Sequence, residues 1–321
     1  MTTSRRDLLY AGGVAAGATG LAAWLASRSR RPEDLAPPVV KRDLRVAHDP
    51  NLPELAIIEG GEPADLVRRA IQELGGMGRF VARGDVVLVK PNMAWDRTPE
   101  QAANTNPDAV AEVVRLSLAA GARKVLVTDV PVNEAHRVFD RSGIARAVKA
   151  AGGQVVLPSA SRFRKVDLGG AVLRVWPVLD PFLEADKIIN LPIAKHHDLT
   201  GATLGLKNWY GMLGGLRVRL HQRIDESLAD LAAFLRPTLT VLDAYRVLMR
   251  NGPSGGNTED VALRKTVIAG TDPIAVDAYA ARAFWGLDES RLRYLELAAE
   301  RGLGDLHLAD SHQVHRLLAL R

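Results

Sequence analysis

Between Lys195 and Gly211 the chain reads Lys-His-His-Asp-Leu-Thr-Gly-Ala-Thr-Leu-Gly-Leu-Lys-Asn-Trp-Tyr-Gly, a dense run of cationic, imidazole and hydroxyl side chains among small residues. Imidazole exchanges protons near neutral pH or binds a metal through a neutral nitrogen, and a neighbouring ammonium lowers its pKa by like-charge repulsion. Adjacent residues of a strand point to opposite faces, so only one of His196 and His197 can enter one site; which of them does is left open, and His196 is carried as the candidate. A helix over residues 199–212 would align Thr200, Thr203 and Lys207 on one face, beside Asn208. Glycine at 201, 205 and 211 would then admit other backbone closely. No His-x-x-x-His pair occurs in this run, so its metal signal is weak.

Several apolar runs end in polar or charged residues. Val86 to Val89 leads to Lys90-Pro91-Asn92, Val125 to Thr128 to Asp129, Ile188 to Pro192 to Lys195, Val241-Leu242 to Asp243, and Val267 to Thr271 to Asp272. In open parallel sheets ligands sit beyond the carboxyl ends of the strands, where these residues would lie. Lys90, Lys195 and Lys207 are therefore read as cations for an anionic small molecule or cofactor, with Asn92, Thr200, Thr203 and Asn208 as polar contacts. His196 is the candidate for proton transfer, with Asp129 or Asp277 as the orienting or basic group. Asp277 falls inside an apolar helix opened by Asp272 as N-cap, so its carboxylate should be buried and paired, with Lys207 as a candidate partner. The amides around Gly255 and Gly256, in the loop Asn251 to Thr258, could wrap an anion. Asn106-Pro107 reads as a helix start with Asn106 as N-cap. Two other readings stand beside the enzyme: a periplasmic binding or cofactor-carrier protein without chemistry, and a polar network that only ties sheet to helices.

Elements able to position these groups follow from periodicity. Strands are expected at 55–59, 85–90, 124–129, 154–157, 187–191, 238–242 and 266–269, and helices at 63–74, 108–120, 143–151, 225–235 and 273–284. Their alternation predicts an α/β fold: a doubly wound, mostly parallel sheet with helices on both faces. Residues 164–178 alternate like a hairpin and predict a small antiparallel insertion.

The 321 residues hold 47% hydrophobic and 5% aromatic side chains, so the core must rest on Ala, Val, Leu and Ile. Without cysteine the chain cannot ligate an iron-sulfur cluster or supply a thiolate. A divalent metal on nitrogen and oxygen ligands stays open, and electrons would have to come from a separate redox partner or a cofactor not held by cysteine. The net charge of +5 divides unevenly: residues 1–42 carry seven basic and three acidic groups, leaving 35 against 34 in the remainder. The body shows neither clustered Lys and Arg nor aromatic platforms, so nucleic acid is not an expected partner.

The leader Ser4-Arg5-Arg6-Asp7-Leu8-Leu9, uncharged from Leu8 to Ala26, resembles a twin-arginine export signal. That resemblance implies the Tat machinery as a partner and delivery to the periplasm or the outer face of the cytoplasmic membrane, with retention by an uncleaved anchor left open. The chain divides accordingly into residues 1–27 as signal, 28–53 as linker and 54–321 as one α/β domain, with a subdomain boundary expected near 160–180. Lys90-Pro91-Asn92, Thr105-Asn106-Pro107, Lys195-His196-His197, Leu206-Lys207-Asn208, Gly252-Pro253-Ser254-Gly255 and Gly270-Thr271-Asp272-Pro273-Ile274-Ala275-Val276-Asp277 follow one another in the order that marks one family. By them the sequence resembles the domain of unknown function 362 family over about residues 55–285. The resemblance implies no settled reaction; some relatives carry ferredoxin-like cysteine motifs, which implies a link to redox chemistry.

Overall fold

The computed structural model describes residues 37–318. The twin-arginine leader and the start of the expected linker lie outside the described residues. From Val39 onward the chain forms one compact unit.

Its first half runs β1 (Arg42–Asp43), β2 (Leu55–Glu59), α1 (Pro63–Glu73), β3 (Val86–Pro91), α2 (Pro107–Ala119), β4 (Lys124–Val127), α3 (Ala135–Arg141), α4 (Ile144–Ala150), β5 (Gln154–Val155), β6 (Phe163–Asp167) and β7 (Val175–Leu179). The second half continues α5 (Pro181–Glu184), β8 (Lys187–Leu191), β9 (Ile193–His197), β10 (Gly201–Thr203), α6 (Gly205–Asn208), α7 (Ile224–Phe234), β11 (Leu235–Arg236), β12 (Leu239–Leu248), β13 (Val261–Gly270), α8 (Pro273–Trp285), α9 (Arg293–Glu300) and β14 (Gln313–Leu317).

Ten strands build the main sheet, in the order β14-β2-β13-β12-β8-β3-β4-β5, with β9 paired to β12 and β10 to β9. β12, β8, β3, β4 and β5 run parallel, and β13 opposes both β12 and β2. The fold is α/β, with a mostly parallel sheet and helices on both faces. Strand alternation explains the two faces: Val87 and Val89 of β3 enter the cluster that includes Val67, Val110 and Val148 of α1, α2 and α4, whereas Leu88 enters the one holding Leu231, Ile274 and Leu295 of α7, α8 and α9. The expected insertion is a two-stranded antiparallel sheet of β6 and β7. The segment read as linker joins the body already at Val39, which bridges Asp167, and at β1, which pairs with β11.

Helix starts follow their caps. The Asn106 side chain accepts from Asp108 N, with Pro107 at the first position, and Asp272 accepts from the amides of Ile274 and Ala275 ahead of Pro273.

Residues 199–212 depart from the expected helix. Gly201, with φ of +68°, allows the chain to turn back as the β9–β10 hairpin, and only the four residues of α6 and a 3-10 turn at Trp209–Met212 are helical. Asp277 fixes that short helix. Its two oxygens accept from Gly205 N at 2.7 Å and Leu206 N at 2.9 Å, satisfying amides at the helix start. The expected pairing of Asp277 with Lys207 is thereby corrected: its partners are backbone donors, and burial raises its pKa to about 7. Asp277→Ala should orphan both amides and leave a void, lowering unfolding free energy by about 2–4 kcal/mol. Denaturant unfolding would measure this, and Asp198→Ala at an exposed position should change little.

Candidate active site

The polar ends of β3, β4 and β9 converge on one cavity of about 420 Å³. β3 contributes Lys90 and, just beyond it, Asn92; the chain after β4 supplies Asp129; β9 and β10 supply Lys195, His197 and Thr203; α6 and the turn after it supply Lys207, Asn208, Tyr210 and Gly211.

At the base lies a buried ion pair. Lys90 Nζ stands 2.8 Å from Asp129 Oδ1 and donates to Asn208 Oδ1 at 2.8 Å and Pro91 O at 2.9 Å. Asp129 accepts further from Met93 N and Val130 N, at 2.6 and 2.8 Å. Burial pulls the Lys90 pKa down and Asp129 opposes that pull. Asn208 ties the elements together, accepting also from Asn92 Nδ2 and donating to Lys90 O and Asn190 Oδ1.

Lys195 is 1% exposed and donates to Asn92 Oδ1 at 3.0 Å and Ala103 O at 2.6 Å. Burial lowers its pKa to about 7, with the positive charges of Lys207 and Lys90 adding to the fall and Asp129 resisting it. Lys207 is 7% exposed, and its ammonium has no hydrogen bond or ion pair among the described residues; its close neighbour is the Tyr210 ring, 4.8 Å from Nζ to centroid. Burial takes its pKa to about 8. The Thr203 hydroxyl, on the same cavity, is buried with no hydrogen-bond partner.

Hairpin register decides which histidine belongs here. Lys195 lies opposite Thr203 and His197 opposite Gly201, so Lys195, His197 and Thr203 share one face of the ribbon, while His196, opposite Ala202, takes the other. The expectation that His196 enters the site is therefore corrected to His197. His196 instead accepts from Gly252 N at 3.3 Å through Nδ1. His197 Nδ1 accepts from Leu199 N at 3.1 Å, which leaves the ring proton on Nε2. Burial, then Lys207 and Lys195, push the His197 pKa down to about 3, so the ring is a neutral N–H donor.

Other expected contacts lie elsewhere. Thr200 donates to Ala202 O and stabilises the hairpin turn. Gly255 and Gly256 do not line the cavity; Gly256 O accepts from Gln101 and Gly255 O from Arg97, while Pro253 of the same loop does reach the wall. Asp277 is enclosed beneath α6. Of the remaining strand-end acids, Asp243 holds Asn106 N and Tyr245 N.

Arg217, His221, Trp95 and Tyr210 line the cavity and were not anticipated. Arg217 donates to Val130 O and Pro131 O, at 2.7 and 2.8 Å, which pins the loop after Asp129. Arg217 and His221 lie four residues apart, a spacing that could have drawn attention to them. Trp95 is held by Asn104, whose Oδ1 accepts from Ala94 N and Trp95 N. The walls are otherwise apolar, through Val130, Val132, Val218 and Pro253. No group of three or more His, Cys, Asp or Glu side chains comes together among the described residues in a way that could hold a metal ion, so the divalent-metal expectation gains no ligand set here.

Gly211 makes the base possible. A Cβ there would stand 1.7 Å from Asp129 Oδ1 and 2.5 Å from Lys90 Nζ. Gly211→Ala should force the ion pair apart and cost roughly 3–5 kcal/mol, the scale of a broken buried pair. Thermal unfolding would register the loss, and a variant as stable as the parent would show that the backbone can move aside.

Comparison with known proteins gives related chains. Two solved structures align over part of their length: a Thermotoga maritima protein, 12% identical with a TM-score of 0.37 over 75% of this chain and 60% of that one, and the lactate racemase apoprotein of Thermoanaerobacterium thermosaccharolyticum, 14% identical with a TM-score of 0.42 over 74% and 58%. The chain thus spans less than two thirds of either of those proteins. A thylakoid-associated protein of Synechocystis sp. is 30% identical over 227 residues, covering 68% of this chain and 69% of that protein. Residues 87–282, which carry every strand end that meets at the cavity, match the family described as "Domain of unknown function (DUF362)", and the chain belongs to that family.

Proposed function

We propose that this protein binds an anionic small molecule in the cavity and moves a proton there, with Lys207 as the exchanging group. One observation carries this reading: among the described residues the buried Lys207 ammonium has no counterion, in a cavity lined by Lys90, Lys195, Lys207 and Arg217 against the single described carboxylate of Asp129, already taken by Lys90. A buried, unpaired cation is costly, and a bound anion would relieve that cost.

The roles follow from hydrogen-bonding capacity. Lys195 has three N–H positions as an ammonium and gives two to Asn92 and Ala103, so the third is free for an anion. His197 offers its Nε2 proton as a neutral donor, a fit for an oxygen that gains charge during reaction, and it is a poor base because protonating it means charging a buried ring beside two lysines. Lys207, near 8, accepts or releases a proton at little cost close to neutral pH. The proton-transfer role expected of His196 thus moves to Lys207, and Asp129 serves to fix Lys90.

The leader's resemblance to a twin-arginine signal supports export to the periplasm or the outer membrane face, where an uncleaved apolar segment would act as an anchor. The thylakoid association in a relative's name agrees with work at a membrane. Replacing Arg5 and Arg6 together by lysine should leave the protein in the cytoplasm, as fractionation of the producing cells would reveal.

Anion affinity should follow the lysines. Below about pH 7 Lys195 and Lys207 are both charged in the free protein, so affinity should be flat with pH. Above about 7 Lys195, and above about 8 Lys207 as well, must regain a proton on binding, and each weakens binding up to tenfold per pH unit until pH passes its pKa in the complex. Titration calorimetry with inorganic phosphate and 3-phenylpropionate, in buffers of different ionisation enthalpy, counts the protons taken up. Lys207→Met should remove one proton from that count, weaken binding at least tenfold and stabilise the ligand-free protein at pH 7 by roughly 1–3 kcal/mol, since a buried unpaired charge disappears. Binding that ignores pH and survives Lys207→Met would sink the assignment; binding without consumption of any anion would make the protein a carrier.

A further inference from the structure

The three lysines of the cavity are held in three different ways. Lys90 has a carboxylate and two further oxygens, Lys195 has two neutral oxygens, and Lys207 has none. An ammonium is stabilised by acceptors, whereas a free amine needs only an apolar surrounding and an open side. Lys207 has that setting: it is 7% exposed, faces the Tyr210 ring and opens onto a cavity walled by Val130, Val132 and Pro253. We propose that Lys207 is a covalent site, whose amine condenses with the carbonyl carbon of a 2-oxo acid bearing an apolar side chain to form an imine. The proposal rests on the anion-binding reading and names its substrate class.

The surroundings match such a ligand group by group. Its carboxylate takes the third N–H of Lys195. Its carbonyl oxygen takes the Thr203 hydroxyl, which is buried without a partner and lies directly across the hairpin from Lys195. Its apolar side chain has Trp95, Val132 and Val218 to pack on, and 420 Å³ leaves room for a ring as large as phenyl.

The chemistry balances without another reagent. The Lys207 nitrogen lone pair forms the new C–N bond while the carbonyl π electrons move onto oxygen. That oxygen takes the proton released by nitrogen, giving a carbinolamine. A second proton, supplied by Lys195, which the bound carboxylate holds in its ammonium form, lets the hydroxyl leave as water, and the nitrogen keeps one hydrogen as a positively charged iminium. Burial, which holds the Lys207 pKa near 8, keeps a usable fraction of the amine neutral at that pH.

The test uses the full chain at pH 8 with phenylpyruvate and, separately, 4-methyl-2-oxopentanoate, followed by borohydride reduction and mass spectrometry. One adduct per chain is expected, heavier by the oxo acid less one oxygen and mapped to Lys207. Labelling at that position should be lost in Lys207→Met, and should fall at least tenfold in Thr203→Val, whose fold is checked by circular dichroism. Calorimetry with 3-phenylpropionate, which lacks the carbonyl, runs in parallel. Binding of that acid without any adduct overturns the covalent proposal and leaves the anion reading standing, whereas failure of both overturns the two together. An adduct spread over other lysines, or one undiminished in Lys207→Met, also overturns it.

Discussion

Lys90 and Asp129 form an ion pair 2.8 Å apart with side chains only 1% and 2% exposed, and the rest of the site depends on how completely that pair is closed. Taking each charge out of water costs several kcal/mol, which attraction offsets only when the remaining hydrogen-bonding positions are filled. Here they are. Lys90 meets three oxygens, and Asp129 meets the ammonium and two backbone amides. The hydrogen-bonding positions of the pair are therefore filled, and Asp129 acts on Lys195 only through its charge, which resists the fall of that pKa without reversing it. Lys195 and Lys207 consequently share the cavity with no carboxylate of their own, and both sit well below the ordinary lysine pKa. A carboxylate from solution is the complement that the proposed function supplies to them.

The same imbalance adds to what sets the state of His197. Burial depresses its pKa first, Lys207 and Lys195 deepen the fall, and its Nδ1 is committed to Leu199 N. A histidine held this way donates one fixed proton and does not titrate in the physiological range. Strand pairing puts it there: the hairpin register that sets Lys195 across from Thr203 places His197 on the same face two residues on. Backbone pairing thus determines which imidazole faces the cavity.

Much of the fold was legible in the sequence, because β-branched runs and helix caps act locally. Leu55–Glu59 and Lys187–Leu191 fall where alternation placed them, and Pro273 begins its helix behind Asp272 as capping chemistry requires. The helices at Ala135–Arg141 and Arg293–Glu300 escaped notice: the first is a two-turn element, and the second lies beyond the family motifs. At the site, Lys90, Asn92, Asp129, Lys195, Thr203, Lys207 and Asn208 could be picked out from strand ends and the polar run. His197 was missed although the signal was present, since Lys195 and His197 are separated by two and share a face in any strand, whereas His196 does not. Reading residues 199–212 as a helix hid that parity. Arg217 and His221 carried only their four-residue spacing as a signal, because it is the connection between α6 and α7 that brings them to the cavity.

Glycine carries the remaining information, and its meaning here is packing. A Cβ at Gly205 would meet Asp277 Oδ1 at 2.8 Å, one at Gly211 would meet Asp129 Oδ1 at 1.7 Å, and one at Gly252 would meet His196 O at 2.0 Å. Each glycine sits where backbone passes so close to a polar atom that a Cβ would collide with it. From sequence alone such glycines resemble a loop built to wrap an anion, as Gly255 and Gly256 did. The two cases differ in what the close approach serves. At 205 it lets amides bind a carboxylate of the chain itself; at 211 and 252 it admits a side chain or strand that a methyl group would displace. The glycines therefore draw the walls together, and in the proposed function recognition of an anion falls to the lysines, whose charge the walls have left unanswered.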